Sequence, residues 1–500
     1  MNLPDLAVFL IYIAVVVWFG TRFAKRSRNT DGFTKAGGRL PGWAVGLSLF
    51  GTYLSSNTFF GNPGKAFSSN WSFYVFTLTI PLGAWAASKW FVPFYRKTGH
   101  ISAYEHLEKR FGPWARTYTV ICYLLTQISR MGTIMLGVAI GIYAVTGWDV
   151  KMVILTTGIL VTAYTIIGGI EAVIWTDVVQ SILLSIGALL VLGLLWLGEP
   201  GGSELLQQAV ESEKLSLGDL AADFTKPSLW VIILYGIFIN LANFGIDQNY
   251  IQRYHAARNE SEARRAIWIG ALAYIPVSAL FFLIGTLLWG FYEAHPAELA
   301  QLAEMKNLTG RPAGDNALPH FMAHHLPVGV GGLLVAALFA AAMSTIDTSL
   351  NSSATITLND LCKRRNRTLD DAGRMRILRR ATLFWGALGT GVALILTFDS
   401  SNLLDLWWKL SGIFAGGMLG LFLLGILVCR ANGTAASLAV IIGVLLIFWM
   451  SFAEAKWMPP SMKSPLDSLM TVTVGTLAIF LIGWIASYFL QSRSPLPNKK

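Results

Sequence analysis

The stretch VAALFAAAMSTIDTSLNSSATITLNDL, residues 335–361, starts as hydrocarbon and then gathers Ser344, Thr345, Asp347, Thr348 and Ser349. On a helix Ser344, Asp347 and Thr348 share one face at i, i+3 and i+4, with Thr345 beside them. Hydroxyl and carboxylate oxygens are the ligands that hard cations take. A carboxylate at the centre of a bilayer costs roughly 2.5–3.5 kcal/mol on insertion scales, so something must offset it. The hydroxyls alone could bond to carbonyls a turn back, with Asp347 at the interface. The acid, and a broken helix elsewhere in the chain, point instead to a cation site. Asp177, in GGIEAVIWTDVVQ (168–180), is a second acid about two turns into a span. Position alone leaves it either functional or a helix-start carboxylate near water. Arg130 lies near the middle of another apolar run, too deep for easy snorkelling. Its planar, always-charged fork suits a carboxylate. That partner is either internal, such as Asp177, or a transported anion, and the anion is the preferred reading.

These residues need a scaffold of membrane helices. The chain has 500 residues, 54% hydrophobic and 13% charged. Apolar runs of spanning length recur throughout, about thirteen in all. They fall near 4–21, 43–66, 72–95, 114–146, 149–168, 170–198, 227–250, 266–292, 326–358, 381–398, 404–428, 433–453 and 466–490. The net charge of +10 is concentrated in alternate loops. These hold Arg22 to Arg28, Arg96 to Arg110, Arg253 to Arg265, and Lys363 to Arg380. Such alternation is the positive-inside pattern. It argues against nucleic acid as a partner. It places the N-terminus outside and the C-terminus in the cytoplasm. No basic residue precedes the first run, so it reads as an uncleaved span. No soluble domain is expected after the last. Cys122, Cys362 and Cys429 imply no disulfide framework. All seven histidines fall in loops or at span ends, which argues against a His-based membrane enzyme. His320 and His324 sit at i, i+4 on a possible external helix, either a zinc pair or a solvated face.

Two spans are interrupted. The second, WAVGLSLFGTYLSSNTFFGNPGKAF, has Gly51 and Ser55-Ser56-Asn57-Thr58 at membrane depth. The seventh carries Gly236, Asn240, Asn243 and Gly245. Irregular backbone is tolerated there only where it lines a cavity or water. With the first span set aside, these are the first and sixth of the remainder, the pattern of an inverted-repeat transporter. The expected fold is therefore an all-α polytopic membrane protein with a LeuT-type five-plus-five inverted repeat. A leading helix (4–28), a first repeat (43–198), a second repeat (227–428) and two trailing helices (433–490) make one transporter domain. Packing by small residues is the competing explanation of the glycines.

AYEHLEKRFG (103–112), GGIEAVIWTDVVQ (168–180), DQNYIQRY (247–254) and AAMSTIDTSLNSSATITLNDL (341–361) resemble motifs of the sodium:solute symporter family, in matching order across nearly the whole chain. GGRLPGWAVGLSLFGTYLSSNTFF, with Arg130, is most similar to that family's bacterial sialic acid symporters. The resemblance implies a sodium site from the carbonyls of Gly51, Leu54 and Ala341 with the hydroxyls of Ser344 and Thr345. It implies a second site from Asp177, Ser344, Asp347 and Thr348. A hydroxyl is usual at Asp347, so that carboxylate could strengthen the site or carry a proton. The implied solute pocket has Arg130 for the carboxylate, Ser55, Ser56 and Thr58 for hydroxyls, and Phe73 as an aromatic wall. Asn243 and Phe244 are counted with it. Tyr53 stands where a small hydroxylated residue is usual, and Thr77 where an amide is.

The expected activity is sodium-coupled uptake of a small acidic sugar, most closely a sialic acid such as N-acetylneuraminate, by alternating access. The expected partners are sodium, that anionic solute and the bilayer, with a functional monomer, no cofactor beyond sodium and no enzyme activity. Alternatives are a neutral sugar, a polyol or a monocarboxylate. A sensor or a membrane enzyme is more remote.

Overall fold

The computed structural model describes residues 3–23, 25–309, 312–362, 369–398, 403–453 and 458–490. Among them it is all helical, apart from one isolated bridge between Leu40 and Ala257. Among the described residues ten helices are long and apolar enough to cross a membrane. One of these, Val150–Leu197, runs 48 residues, about 70 Å at helical rise and over twice a bilayer core. Gly169, at φ 59°, breaks it into two lengths that each suit a crossing. A broken pair, Gly42–Tyr53 and Ser56–Ser68, and the helix Asp371–Leu396 complete the bundle.

The order is a leading helix, Leu3–Thr21, two five-helix halves that each open on an interrupted helix, and two trailing helices, Gly433–Ser451 and Met470–Phe489. The hydroxyl-rich helix, Val330–Ile356, is buried along almost its whole length. It packs on Val150–Leu197, Pro113–Thr146 and the leading helix. That position makes it the axis of the core. Asp5 of the leading helix accepts hydrogen bonds from Gly329 N (2.7 Å) and Gly332 N (2.9 Å), so a carboxylate satisfies orphan amides at that axis helix's N-terminus.

The first interruption falls where the sequence places it. Leu54 leaves helical geometry at φ −85°, ψ 88°, and Ser55 is extended. The second does not. The helix Leu229–Ile246 runs unbroken through Gly236, Asn243 and Gly245. Gly236 and Gly245 serve close packing: a Cβ there would come within 2.4 Å of Thr79 Oγ1 and 2.8 Å of the Phe91 ring. The break comes at Asp247, φ −77°, ψ 120°, whose side chain caps the next helix, Gln248–Ala256, by accepting from Asn249 N (2.8 Å).

At the end carrying the basic loops, Glu171 is buried and paired with Arg26 (2.9 Å) and Arg39 (2.7 Å). Arg116 joins Asp360 (2.5 Å) and Glu108 (2.6 Å). The external reading of 313–325 is a helix, Ala313–His325. Its His320 is buried with Nδ1 2.8 Å from the Tyr292 hydroxyl while His324 is exposed, and among the described residues neither belongs to a group of three or more metal-ligating side chains.

Candidate transport site

The last four carbonyls of any helix lack intrahelical partners. At the break of Gly42–Tyr53 two of them are taken by side chains. Arg130 Nη2 donates to Thr52 O (3.0 Å), and Thr58 Oγ1 donates to Tyr53 O (2.9 Å). The carbonyls of Gly51 and Leu54 are the two assigned to sodium by resemblance. Gly51 packs tightly on the helix Val150–Leu197 and beside the axis helix: a Cβ there would lie 2.6 Å from Ser181 Oγ, 3.3 Å from Ser344 Oγ and 3.7 Å from Asp177 Cβ. Thr345 Oγ1 lies 3.3 Å from Ala341 O. The break therefore brings Gly51 against Ser344, one helix turn from Ala341 and beside Thr345. The donor set is all oxygen, which suits a hard monovalent cation.

Asp177 is fully buried and held on three sides. Ser344 Oγ donates to its Oδ1 (2.6 Å), Ser48 Oγ donates to Oδ2, and Arg253 Nη2 donates to Oδ2 (2.8 Å). Arg253 is itself fully buried. It also donates to Ser48 Oγ, Asn249 O and Thr348 Oγ1, each at 2.8 Å. The sequence reading put Arg253 in a cytoplasmic loop. That is corrected here, because the helix Gln248–Ala256 runs back into the core. The suggestion that Arg130 pairs with Asp177 is corrected too, since Arg253 fills that role.

Asp347 is also fully buried. Its Oδ2 accepts from the Tyr164 hydroxyl, and its Oδ1 has no hydrogen-bond partner among the described residues. Of the four residues assigned to a second cation, Asp177 and Thr348 thus bond to Arg253, Ser344 bonds to Asp177, and Asp347 bonds to Tyr164.

A cavity lies between the two breaks. It encloses about 100 Å³, less than the roughly 300–1,000 Å³ usual for small-molecule sites. Tyr53, Ser55, Thr58, Phe73, Thr77, Arg130 and Asn243 line it. Phe244 does not. It packs against Tyr53 and Tyr250, with ring centroids at 6.0 and 5.2 Å. The side chain of Ser56 lies outside the described residues. Tyr53 commits its hydroxyl to Asn240 Oδ1 (2.9 Å) and so offers the cavity mostly ring. The Thr77 hydroxyl is 2.9 Å from Ser278 Oγ, which also accepts from Asn62 Nδ2 (3.3 Å). Asn62 lines the cavity as well, so an amide reaches the wall one helix away from Thr77. Trp407 lies under the Arg130 guanidinium, 5.6 Å from the ring centroid. Asp247, which the sequence reading left unmentioned, faces the same cavity with Oδ2 3.9 Å from Arg130 Nη1.

A family model, the sodium:solute symporter family, matches residues 33–443. The chain belongs to the sodium:solute symporter family. Among curated members, it is 32% identical over 483 residues to the sodium/sialic acid symporter NanT of Aliivibrio fischeri, covering 95% of this chain and 91% of that one. It is 31% identical over 492 residues to the sodium/sialic acid symporter SiaT of Proteus mirabilis, covering 96% and 94%. A solved structure described as a substrate-bound, outward-open sodium-coupled sialic acid symporter superposes at TM-score 0.88, with 29% identity and 98% of both chains covered. The nucleobase-cation transporter Mhp1 shares the fold alone, at TM-score 0.55 and 14% identity. This family member therefore has the LeuT-type arrangement expected from its two broken helices.

Proposed function

We propose that this symporter carries a sialic acid, or a closely similar acidic sugar, inward with sodium across the bacterial inner membrane. The observation that carries the reading is Arg130, a cation on the wall of a cavity built at a helix break. Its relatives with sialic acid in their names support the class of solute. An arginine has five N–H donors. Here one is bonded to Thr52 O and one points toward Asp247 at a distance too long for a hydrogen bond. Enough remain for a carboxylate held in bidentate fashion. Ser55 and Thr58 offer hydroxyls, Asn62 and Asn243 amides, and Phe73 an aromatic face. The Ser56 hydroxyl belongs to the same set by resemblance.

Sodium would bind at the Gly51 and Leu54 carbonyls, Ala341 O, Ser344 and Thr345. Occupancy would join the broken helix to the axis helix, so the solute pocket is complete only with sodium present. Ser344 can keep its proton on Asp177 while its lone pair faces the ion. A second cation would sit near Asp347, with Asp177, Ser344 and Thr348 around it. Each net positive charge entering with the membrane potential gains about 2.3 kcal/mol per 100 mV, enough to drive uphill uptake by alternating access. The N-terminus outside, the C-terminus in the cytoplasm, function as a monomer in the bilayer and the absence of catalysis belong to the same proposal.

The test is uptake of labelled N-acetylneuraminate into proteoliposomes under an inward sodium gradient, against the same gradient of potassium. Saturable uptake with sodium alone is expected. Equal uptake in both would overturn the proposal.

A further inference from the structure

Arg130 is not the only charge on the cavity wall. Asp247 stands beside it, and its geometry is fixed by the break in the seventh span. One oxygen, Oδ1, accepts from Asn249 N (2.8 Å) and so caps the helix Gln248–Ala256. The other, Oδ2, looks across to Arg130 Nη1 at 3.9 Å, close enough to attract and too far to bond. Both side chains are about one-tenth exposed, Arg130 at 11% and Asp247 at 13%, and both line the cavity. The pair is therefore open enough for an entering ligand to reach both.

The electrostatic consequence is specific. A carboxylate that docks on the Arg130 fork brings one of its oxygens next to Asp247 Oδ2. Two anionic oxygens at such separation repel, and the partly dry wall screens them poorly. A donor hydrogen on the atom next to the ligand's carboxylate removes that conflict. The hydroxyl gives its proton to Oδ2, and the ligand's charge stays on Arg130. We infer that Arg130 and Asp247 together form a two-point reader for acids bearing a hydroxyl on the carbon that carries the carboxylate, with Asp247 rejecting plain carboxylates. This rests on the proposed function, and it names the substituent that the site selects. N-acetylneuraminate has that hydroxyl as a free sugar and loses it as a methyl glycoside. Rejection by an unpaired charge is an effective source of specificity.

Binding of three ligands to the purified protein in sodium tests this: N-acetylneuraminate, its 2-O-methyl glycoside and its 2-deoxy analogue. The wild type and Asp247→Asn are compared. Asparagine caps a helix as well as aspartate does, so the fold and the sodium-induced rise in melting temperature should persist. For the wild type, the two analogues lacking the hydroxyl should bind at least about tenfold more weakly than the parent acid. In Asp247→Asn the preference should shrink to under about threefold, because an amide can donate to an ether oxygen or to the ligand's own carboxylate. Equal wild-type binding of all three would overturn the reader while leaving the proposed function intact. So would a variant that binds all three more tightly by one common factor, which would make Asp247 only a counter-charge to Arg130. Failure of the wild type to bind even the parent acid would overturn both readings together.

Discussion

Arg253 Nη2 lies 2.8 Å from Asp177 Oδ2, and neither side chain has any exposure to solvent. With Arg253 on the helix Gln248–Ala256, the pair joins four helices. Ser48 comes from the broken helix, Ser344 and Thr348 from the axis helix, and Asp177 from the helix packed against both. Its donors and acceptors are shared so fully that each charge is neutralised inside the protein. The Gly51–Ser344 contact rests directly on this network.

Removing one partner of such a pair leaves a buried charge unbalanced, which typically costs about 3–5 kcal/mol. Arg253→Ala should lower the melting temperature of the detergent-solubilised protein steeply, with or without sodium. Arg253→Lys, which keeps the charge and loses the fork, should lie between. A melting temperature for Arg253→Ala within a degree or two of wild type would show that the network carries no stability.

Thr345 is the cleaner probe of the first sodium site, because Ser344 also bonds Asp177 and its loss would disturb two things at once. Thr345→Ala should raise the sodium concentration for half-maximal uptake roughly 5- to 30-fold, the equivalent of about 1–2 kcal/mol for one lost oxygen ligand. Solute affinity at saturating sodium should change little. An unchanged sodium dependence would remove Thr345 from the site.

Asp347 bears on the number of cations. An anionic solute carried with two cations moves one net positive charge, and carried with one it moves none. Inward current should therefore accompany uptake in voltage-clamped proteoliposomes, and an inside-negative potential should speed it. Asp347→Ser restores the hydroxyl usual in the family and should keep the current if Asp177, Ser344 and Thr348 hold the ion. Electroneutral wild-type uptake at every pH would contradict a second cation beside an anionic solute.

Much of this was legible in the residues. Long apolar runs forced membrane helices, and a cluster of small and hydroxylated residues at Gly51 to Thr58 located the first break, because such side chains compete with the helical ladder. Arg130 announced itself by depth. The second break was misplaced because Gly236 and Gly245 look like helix breakers, while the fold uses them for close approach to Thr79 and Phe91. Asp247 ends an apolar run and drew no role from sequence, whereas the fold makes it a cap and a cavity wall. Arg253 was hidden among loop cations, since only the tertiary fold brings it to Ser48 and Asp177, which are far away in sequence. The Tyr164–Asp347 bond was hidden for the same reason.

The central claim is that Arg130 receives the carboxylate of an acidic sugar, and the most direct measurement compares N-acetylneuraminate with its methyl ester in sodium-dependent binding to wild type and Arg130→Ala. Truncating one partner of a buried charged contact costs about 2–5 kcal/mol. The wild type should accordingly bind the acid at least about 30-fold more tightly than the ester, and Arg130→Ala should bind both equally weakly while keeping its sodium-induced stabilisation. If wild type binds acid and ester with the same affinity, Arg130 is not a carboxylate receptor and the solute is neutral at that position.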